Sequence, residues 1–421
     1  MRKKQLSALL LSLALLTLTG CETVRQTQAT PTAETPVETA APTPTPEPTP
    51  TPDPIAEQVA GLSTEEKVGQ LLIAGIEGTQ AGEDARSAIQ DYKVGGIILF
   101  SRNVESAGQL TALTNDLKDL AGDQIPLFLS VDEEGGRVSR MPPEVADLPS
   151  AYQYIQDGGD AAARGTVLAA ECKAFGFNVD FAPSLDIWSN PENTVIGDRA
   201  FGTDWEWAGT AGCGCYQAML DGGIIPVAKH FPGHGDTAVD SHVALPVVTK
   251  TVDELKQSEL MPFIMAMDGD DGGGLVQPGK ALPAVMVAHI LMTAIDPDLP
   301  ASLSPKVVTG LLREDLGFDG VVFTDDLTMG AVSNTYGMGE AAVLALEAGC
   351  DELLVCHKAE NLRSACDAVL AAVNSGRISQ ARLDESVSRV LRLKAERNVN
   401  SEAIEAPDVD ALNAQIQAIL P

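Results

Sequence analysis

Three of the five histidines, His230, His234 and His242, stand within one short segment that runs from Lys229 to His242. An imidazole titrates near neutrality, and a carboxylate two residues away orients it and raises its basicity, so Asp240 and His242 make a candidate proton-transfer pair. Between them and Lys229 lies Phe231-Pro232-Gly233-His234-Gly235-Asp236, a Gly/Pro-rich loop of the kind that carries side chains over the mouth of a site and moves. His230, His234, Asp236, Asp240 and His242 are also of types that bind zinc or iron. Their spacing has no HExxH form, and Pro232-Gly233 between the first two histidines rules out the helical presentation a four-residue spacing would need. No metal or other cofactor is therefore expected.

The elements that must position this segment are legible as short apolar, β-rich runs. They cover Gln70–Ile76, Gly96–Phe100, Leu127–Asp132, Val179–Asp186, Ile224–Phe231, Ala284–Ile290, Gly320–Asp326 and Glu352–His357. Amphipathic stretches separate them, among them Ser304–Leu316, Gly339–Ala348 and, at the end, Leu383–Arg397. Alternation of strand and helix implies a parallel sheet, and eight units imply a single (β/α)8 TIM-type barrel. An open doubly wound sheet is the competitor, but no G-x-G-x-x-G follows a strand. Ser63-Thr64-Glu65-Glu66 has the form of a capping box and places a short helix ahead of the first strand. In a barrel the chemistry gathers at the C-terminal ends of the strands. Here those ends carry Asp132, Asp186, Lys229-His230, His289 and Asp325-Asp326. Burying so many ionisable groups for structure alone is costly, which favours a shared site.

Taken together, the loop and four further segments resemble glycoside hydrolase family 3, in particular its bacterial β-N-acetylglucosaminidase branch that trims muropeptides. The further segments are Gly95-Gly96-Ile97-Ile98-Leu99-Phe100, Asp132-Glu133-Glu134-Gly135-Gly136-Arg137-Val138, Ile196-Gly197-Asp198-Arg199-Ala200-Phe201-Gly202 and Phe323-Thr324-Asp325-Asp326-Leu327-Thr328-Met329. The resemblance runs from about Leu62 to Arg397. It implies that Asp325 is a nucleophile at the anomeric carbon, with Asp326 its neighbour and not the attacker. It implies that His242 is the acid/base, held by Asp240. Asp132, Arg140, Arg199, Lys229 and His230 match the positions that grip the sugar's hydroxyl and acetamido groups, while His234 and Asp236 are expected to shape the loop. Glu133 stands where a glutamine is common, and no loss of activity is expected from that. Many β-glucosidases of the family draw a glutamate acid/base from a second α/β domain, whereas this chain ends soon after the eighth barrel helix. The expected reaction is retaining, exo-acting hydrolysis of terminal β-linked N-acetylglucosamine from peptidoglycan or chitin-type oligosaccharides, through a covalent glycosyl-aspartate. Alternatives of the same family are a β-N-acetylglucosaminide phosphorylase, since a histidine donor repels phosphate less than a glutamate does, and a β-glucosidase. A non-catalytic cell-wall sugar-binding lipoprotein is the alternative of another class.

The N-terminus points to export. Arg2, Lys3 and Lys4 precede an apolar run, Leu6 to Leu18, that is too short to span a bilayer comfortably. The run stops at Leu18-Thr19-Gly20-Cys21, which resembles a lipobox and implies lipidation of Cys21 after removal of residues 1–20. Residues 22–54 are rich in Pro and Thr and have little to bury, so they are expected to be a disordered tether spanning on the order of 100 Å. The catalytic domain is expected over residues 55–400, with a weakly amphipathic tail at 401–421. In that tail Ala411, Ile416 and Leu420 are available to pack. A formal charge of −31 excludes the basic footprint that nucleic acid or anionic lipid requires. The expected partners are thus a carbohydrate substrate and the membrane, the latter through the lipid anchor only; no protein partner is inferred. Cys172, Cys213, Cys215, Cys350, Cys356 and Cys366 form no CxxC pair, and their pairing is open.

Overall fold

The computed structural model describes residues 53–237, 245–267, 276–277 and 279–421. Eight parallel strands follow one another in chain order: β1 Leu72–Gly75, β2 Gly96–Leu99, β3 Phe128–Val131, β4 Val179–Asp180, β5 Ile225–Phe231, β6 Ala284–Val287, β7 Val321–Thr324 and β8 Leu353–Val355. Each pairs with its neighbour in sequence, and β8 returns to β1 with Leu72 opposite Leu353. A parallel bridge between Phe323 and Glu352 joins β7 to β8 and nearly closes the ring. The expected (β/α)8 barrel is therefore present, with all eight runs in place.

The reason for the fold is burial on both faces. Every residue of β2, β3, β6, β7 and β8 is buried, as strands coated with helices outside and packed side chains inside must be. Phe128, Phe181 and Phe323 meet in the barrel interior, with ring centroids 6.4 Å and 5.6 Å apart. The helix predicted over Ser304–Leu316 is a π-helix at Lys306–Asp315. Those over Gly339–Ala348 and Leu383–Arg397 are α-helices at Met338–Ala348 and Gln380–Glu396. Ser63 and Glu66 form the expected capping box. From the last barrel helix, Lys394 reaches under the barrel, where its ammonium donates to Gln70 Oε1 and to the carbonyl of Gly95 and lies 4.7 Å from the Phe128 ring.

One difference from the sequence-based expectation concerns a strand end. The fourth run is a continuous strand over only two of its eight residues; Pro183 offers no N–H to the ladder, and pairing resumes beyond it as a single bridge between Ser184 and Lys229. The segment after residue 400 docks: helix Val409–Ile419 buries Leu412 and Ile416, and the Tyr154 hydroxyl donates to the carbonyl of Ile419. The six described cysteines are buried free thiols. Among the described residues no helix is long and apolar enough to cross a membrane. Cys21, Asp240 and His242 lie outside the described residues.

Candidate active site

At the C-terminal ends of the strands lies a cavity of about 320 Å³. Asp132, Arg140, Arg199, Lys229, His230 and Asp325 all line it, so residues drawn from four separate sequence segments converge. Asp325 follows the last residue of β7. Its backbone N–H donates to the Val287 carbonyl of β6, and its Oδ1 accepts the Asp326 N–H at 2.8 Å. The two neighbouring aspartates then diverge in role. Asp326 accepts from the Thr328 N–H at 2.9 Å, from the Thr328 hydroxyl and from the Cys356 N–H at 3.1 Å, which ties the ends of β7 and β8 together.

The cationic wall is held by a carboxylate that sequence reasoning quoted without giving it a task. Glu134, 5 % exposed, receives both arms of Arg199 at 2.9 and 2.7 Å and the Lys229 ammonium at 2.7 Å. Lys229 also reaches Asp132 at 2.6 Å. Burial by itself would raise the Glu134 carboxyl, but the charges of Arg199 and Lys229 outweigh it and hold the group well below the usual carboxylate range. Arg199 and Lys229 are raised in turn: burial opposes their charge, and the adjacent carboxylates overcome it. The planar fork of Arg199 is thereby fixed with one edge toward the cavity.

His230 is set by Asp186, another residue named only as a strand end. Asp186 Oδ2 lies 2.6 Å from His230 Nδ1 and accepts the His230 N–H, while Oδ1 accepts the His234 N–H at 2.6 Å. Asp186 is fully buried, which would raise it, yet the charge and hydrogen bond of His230 bring it down to about 2. This leaves Nε2 of His230 facing the cavity, 3.4 Å from Arg199. His234 also lines the cavity, although the sequence suggested only a shaping role for it. Asp236 does act on the loop, through Lys250 at 2.9 Å. The loop lies close to its neighbours: a side chain at Gly235 would stand 1.6 Å from the Ile187 carbonyl, so only glycine fits. His289, at the end of β6, points away and bonds Ser302 and the Asp326 carbonyl. His357, after β8, lines the rim half-exposed and stacks on Phe100. Neither Glu134 nor Asp186 is marked by its local sequence; only a site assembled in three dimensions shows what each holds.

Among the described residues no three His, Cys, Asp or Glu side chains cluster as metal ligands. The profile of the "Glycosyl hydrolase family 3 N terminal domain" matches residues 63–393, the greater part of the chain. The chain belongs to this family. It is a glycoside hydrolase of the β-hexosaminidase group within it. A "Beta-hexosaminidase" of Alkalilimnicola ehrlichii is 39 % identical over 297 residues, covering 69 % of this chain and 81 % of that protein. The "Beta-hexosaminidase LpqI" of Mycobacterium tuberculosis is 35 % identical over 345 residues, covering 79 % and 83 %. The solved structure of a family 3 β-N-acetylglucosaminidase from Paenibacillus sp. FPU-7 superposes with a TM-score of 0.79 at 42 % identity, covering 85 % of this chain and 68 % of that one.

Proposed function

We propose that the protein is a retaining, exo-acting β-N-acetylglucosaminidase that removes terminal N-acetylglucosamine from cell-wall or chitin-type oligosaccharides while tethered to the membrane through Cys21. The observation that carries this reading is the convergence of Asp325 with Asp132, Arg140, Arg199, Lys229 and His230 around one cavity. Its volume of about 320 Å³ stands at the small end of ligand sites and suits one sugar unit, not the middle of a chain. The lining fits a neutral polyol amide, because fixed cations and carboxylates offer strong directional bonds to hydroxyl and carbonyl groups without a net ionic demand.

The proposed chemistry follows from these residue types and the resemblance. Asp325 attacks the anomeric carbon and displaces the aglycone oxygen. That oxygen needs a proton, which His242 supplies from the loop after β5, with Asp240 orienting its ring. Water, deprotonated by His242, then releases the sugar from Asp325 with the starting configuration restored. Thr237, the last described residue before this loop, bonds His234, which lines the cavity. Hydrogen bonds from Arg199, Lys229 and Asp132 to the sugar's hydroxyl and acetamido groups that tighten as the ring distorts toward the transition state supply rate.

The test is hydrolysis of an aryl N-acetyl-β-glucosaminide and of the matching β-glucoside, followed by proton NMR. Release of the β-anomer of N-acetylglucosamine first, with the glucoside much slower, is the expected result. Initial release of the α-anomer, or equal rates on both sugars, contradicts the reading. Globomycin-sensitive processing and palmitate labelling lost in Cys21→Ser test the anchor separately.

A further inference from the structure

Behind the cavity wall, where the sugar does not reach, three carboxyl groups are buried together: Glu133, Glu171 and Asp180. Glu133 is 1 % exposed and takes no part in the cavity lining. Its two oxygens instead close a loop. Oε1 accepts the Gly135 N–H at 3.1 Å, and Oε2 accepts the Arg140 N–H at 2.7 Å and the Ser139 hydroxyl at 2.9 Å. Its own N–H donates to Asp180 Oδ1 at 2.9 Å, which pins the loop to β4. The segment so folded, residues 133–141, passes through left-handed turns at Gly135 and Gly136, with φ of +73° and +58°. It delivers Glu134 to Arg199 and Lys229 on one side and Arg140 to the cavity on the other.

We infer that Glu133 is a positioning residue for the sugar site, whose ionised carboxylate folds segment 133–141 and so sets Arg140 and Glu134 in place. This rests on the reading that the cavity takes a sugar. The argument is one of acceptor count. A carboxylate accepts all three donors at once, and each bond is strengthened by the charge. A glutamine, common at this place in the family, must turn its amide NH₂ toward either the Gly135 or the Arg140 N–H, so one of those donors has to find another acceptor and the segment is held less tightly. A protonated carboxyl keeps the count but loses the charge assistance.

Protonation is within reach because of what surrounds the group. The charged and titratable groups facing it are Arg140 on its own segment, Arg164, Glu171 and Cys172 on helix Ala161–Ala174, and Asp180 on β4. Burial is the largest influence and pushes Glu133 up to about 7 against the pull of its three hydrogen bonds. Glu171 is raised too, by burial and then by the Glu133 charge, and its Oε2 has no hydrogen-bond partner. Glu133, with three donors on its two oxygens, is the member best placed to carry the charge. As pH falls through the Glu133 midpoint, its grip on the loop relaxes.

The test measures backbone hydrogen exchange in segment 133–141, corrected for intrinsic rates, well below and well above that midpoint, together with N-acetylglucosamine affinity by calorimetry. The proteins are wild type, Glu133→Gln and Ser139→Ala. Wild type is expected to lose about fivefold in protection on going to the lower pH, the difference between a charge-assisted and a neutral hydrogen bond. Glu133→Gln should show the loosened state at both pH values and bind the sugar about fivefold more weakly at the higher one. Ser139→Ala, which is conservative enough to fold if Glu133→Gln is not, removes a bond that favours the charged form, so its transition should move to higher pH. Equal protection of the segment in Glu133→Gln and wild type overturns the inference, as does a Ser139→Ala transition left in place. A loosened segment with unaltered sugar affinity overturns the positioning role. If wild type binds no N-acetylglucosamine, the functional reading fails, while the exchange data still decide whether Glu133 holds Arg140 at the cavity.

Discussion

Replacing Glu134 by glutamine removes one negative charge and leaves the volume of the side chain unchanged. In the native site that charge holds three donors from two cations: Arg199 at 2.9 and 2.7 Å and Lys229 at 2.7 Å, all shielded from water. Breaking a buried ion pair on one side costs about 3–5 kcal/mol, because the partner charge is left in place. Lys229 retains Asp132 at 2.6 Å, so the main orphan is Arg199, and the lower end, about 3 kcal/mol, applies. For a domain of this size that lowers the melting temperature by roughly 5 °C. Arg199 would keep the Val195 carbonyl at 3.1 Å, the His230 Nε2 contact at 3.4 Å and a single uncharged amide oxygen, and its fork would no longer be clamped in one orientation. KM for an aryl N-acetylglucosaminide should rise about tenfold with a smaller change in kcat, since a ground-state contact is lost. Circular dichroism melts and steady-state kinetics read both effects. Arg377→Ala is the control: Arg377 makes four hydrogen bonds to Glu340 and Glu347, but in water. Its loss should cost less than about 1 kcal/mol. A Glu134→Gln protein that melts with wild type and has the same KM refutes the argument that this carboxylate organises the cationic wall.

The adjacent aspartates should separate cleanly. Asp325→Asn is expected to fold normally and lose essentially all turnover, whereas Asp326→Asn, which weakens bonds to Thr328 and Cys356, should lose about 1–3 kcal/mol of stability and keep measurable activity; urea denaturation and rate assays distinguish them. Asp186 has a folded value near 2, below that of an unfolded aspartate. Its contribution is thus complete above about pH 4 and is lost as pH falls through 2, amounting to roughly 2–3 kcal/mol. The stability gap between wild type and Asp186→Asn should therefore narrow on acidification across that window, as measured by urea unfolding at a series of pH values; a gap independent of pH would refute the assignment.

The sequence makes the barrel readable because each strand is a continuous apolar run, and parallel strands buried on both faces have that pattern wherever they occur. Strand ends were less legible. The run Val179–Asp186 is apolar throughout its first part, yet the continuous strand ends at Asp180 and pairing resumes only as an isolated bridge from Ser184 to Lys229, an interruption that leaves no mark in the hydropathy. The cavity residues Asp132, Arg140, Arg199, Lys229, His230 and Asp325 could be named because charged groups at strand ends and in recognisable segments have few other uses. Glu134 and Asp186 were not given tasks for a different reason. Each acts on a side chain from another element, 65 and 44 residues away, and no local pattern records such a pairing. The resemblance implies a loop-shaping role for His234, and the fold also turns it toward the cavity. The docking of helix Val409–Ile419 depends likewise on a groove formed elsewhere, beside Ala146 and Tyr154.

The central claim is that the carboxylate after β7 forms a bond to the sugar. It is met most directly by incubating the enzyme with an activated, fluorine-substituted N-acetylglucosaminide that slows release of the intermediate, then digesting it and mapping the adduct by mass spectrometry. The account predicts one sugar per chain, attached at Asp325. An adduct on another residue, or full turnover with no adduct and an inverted product, contradicts it.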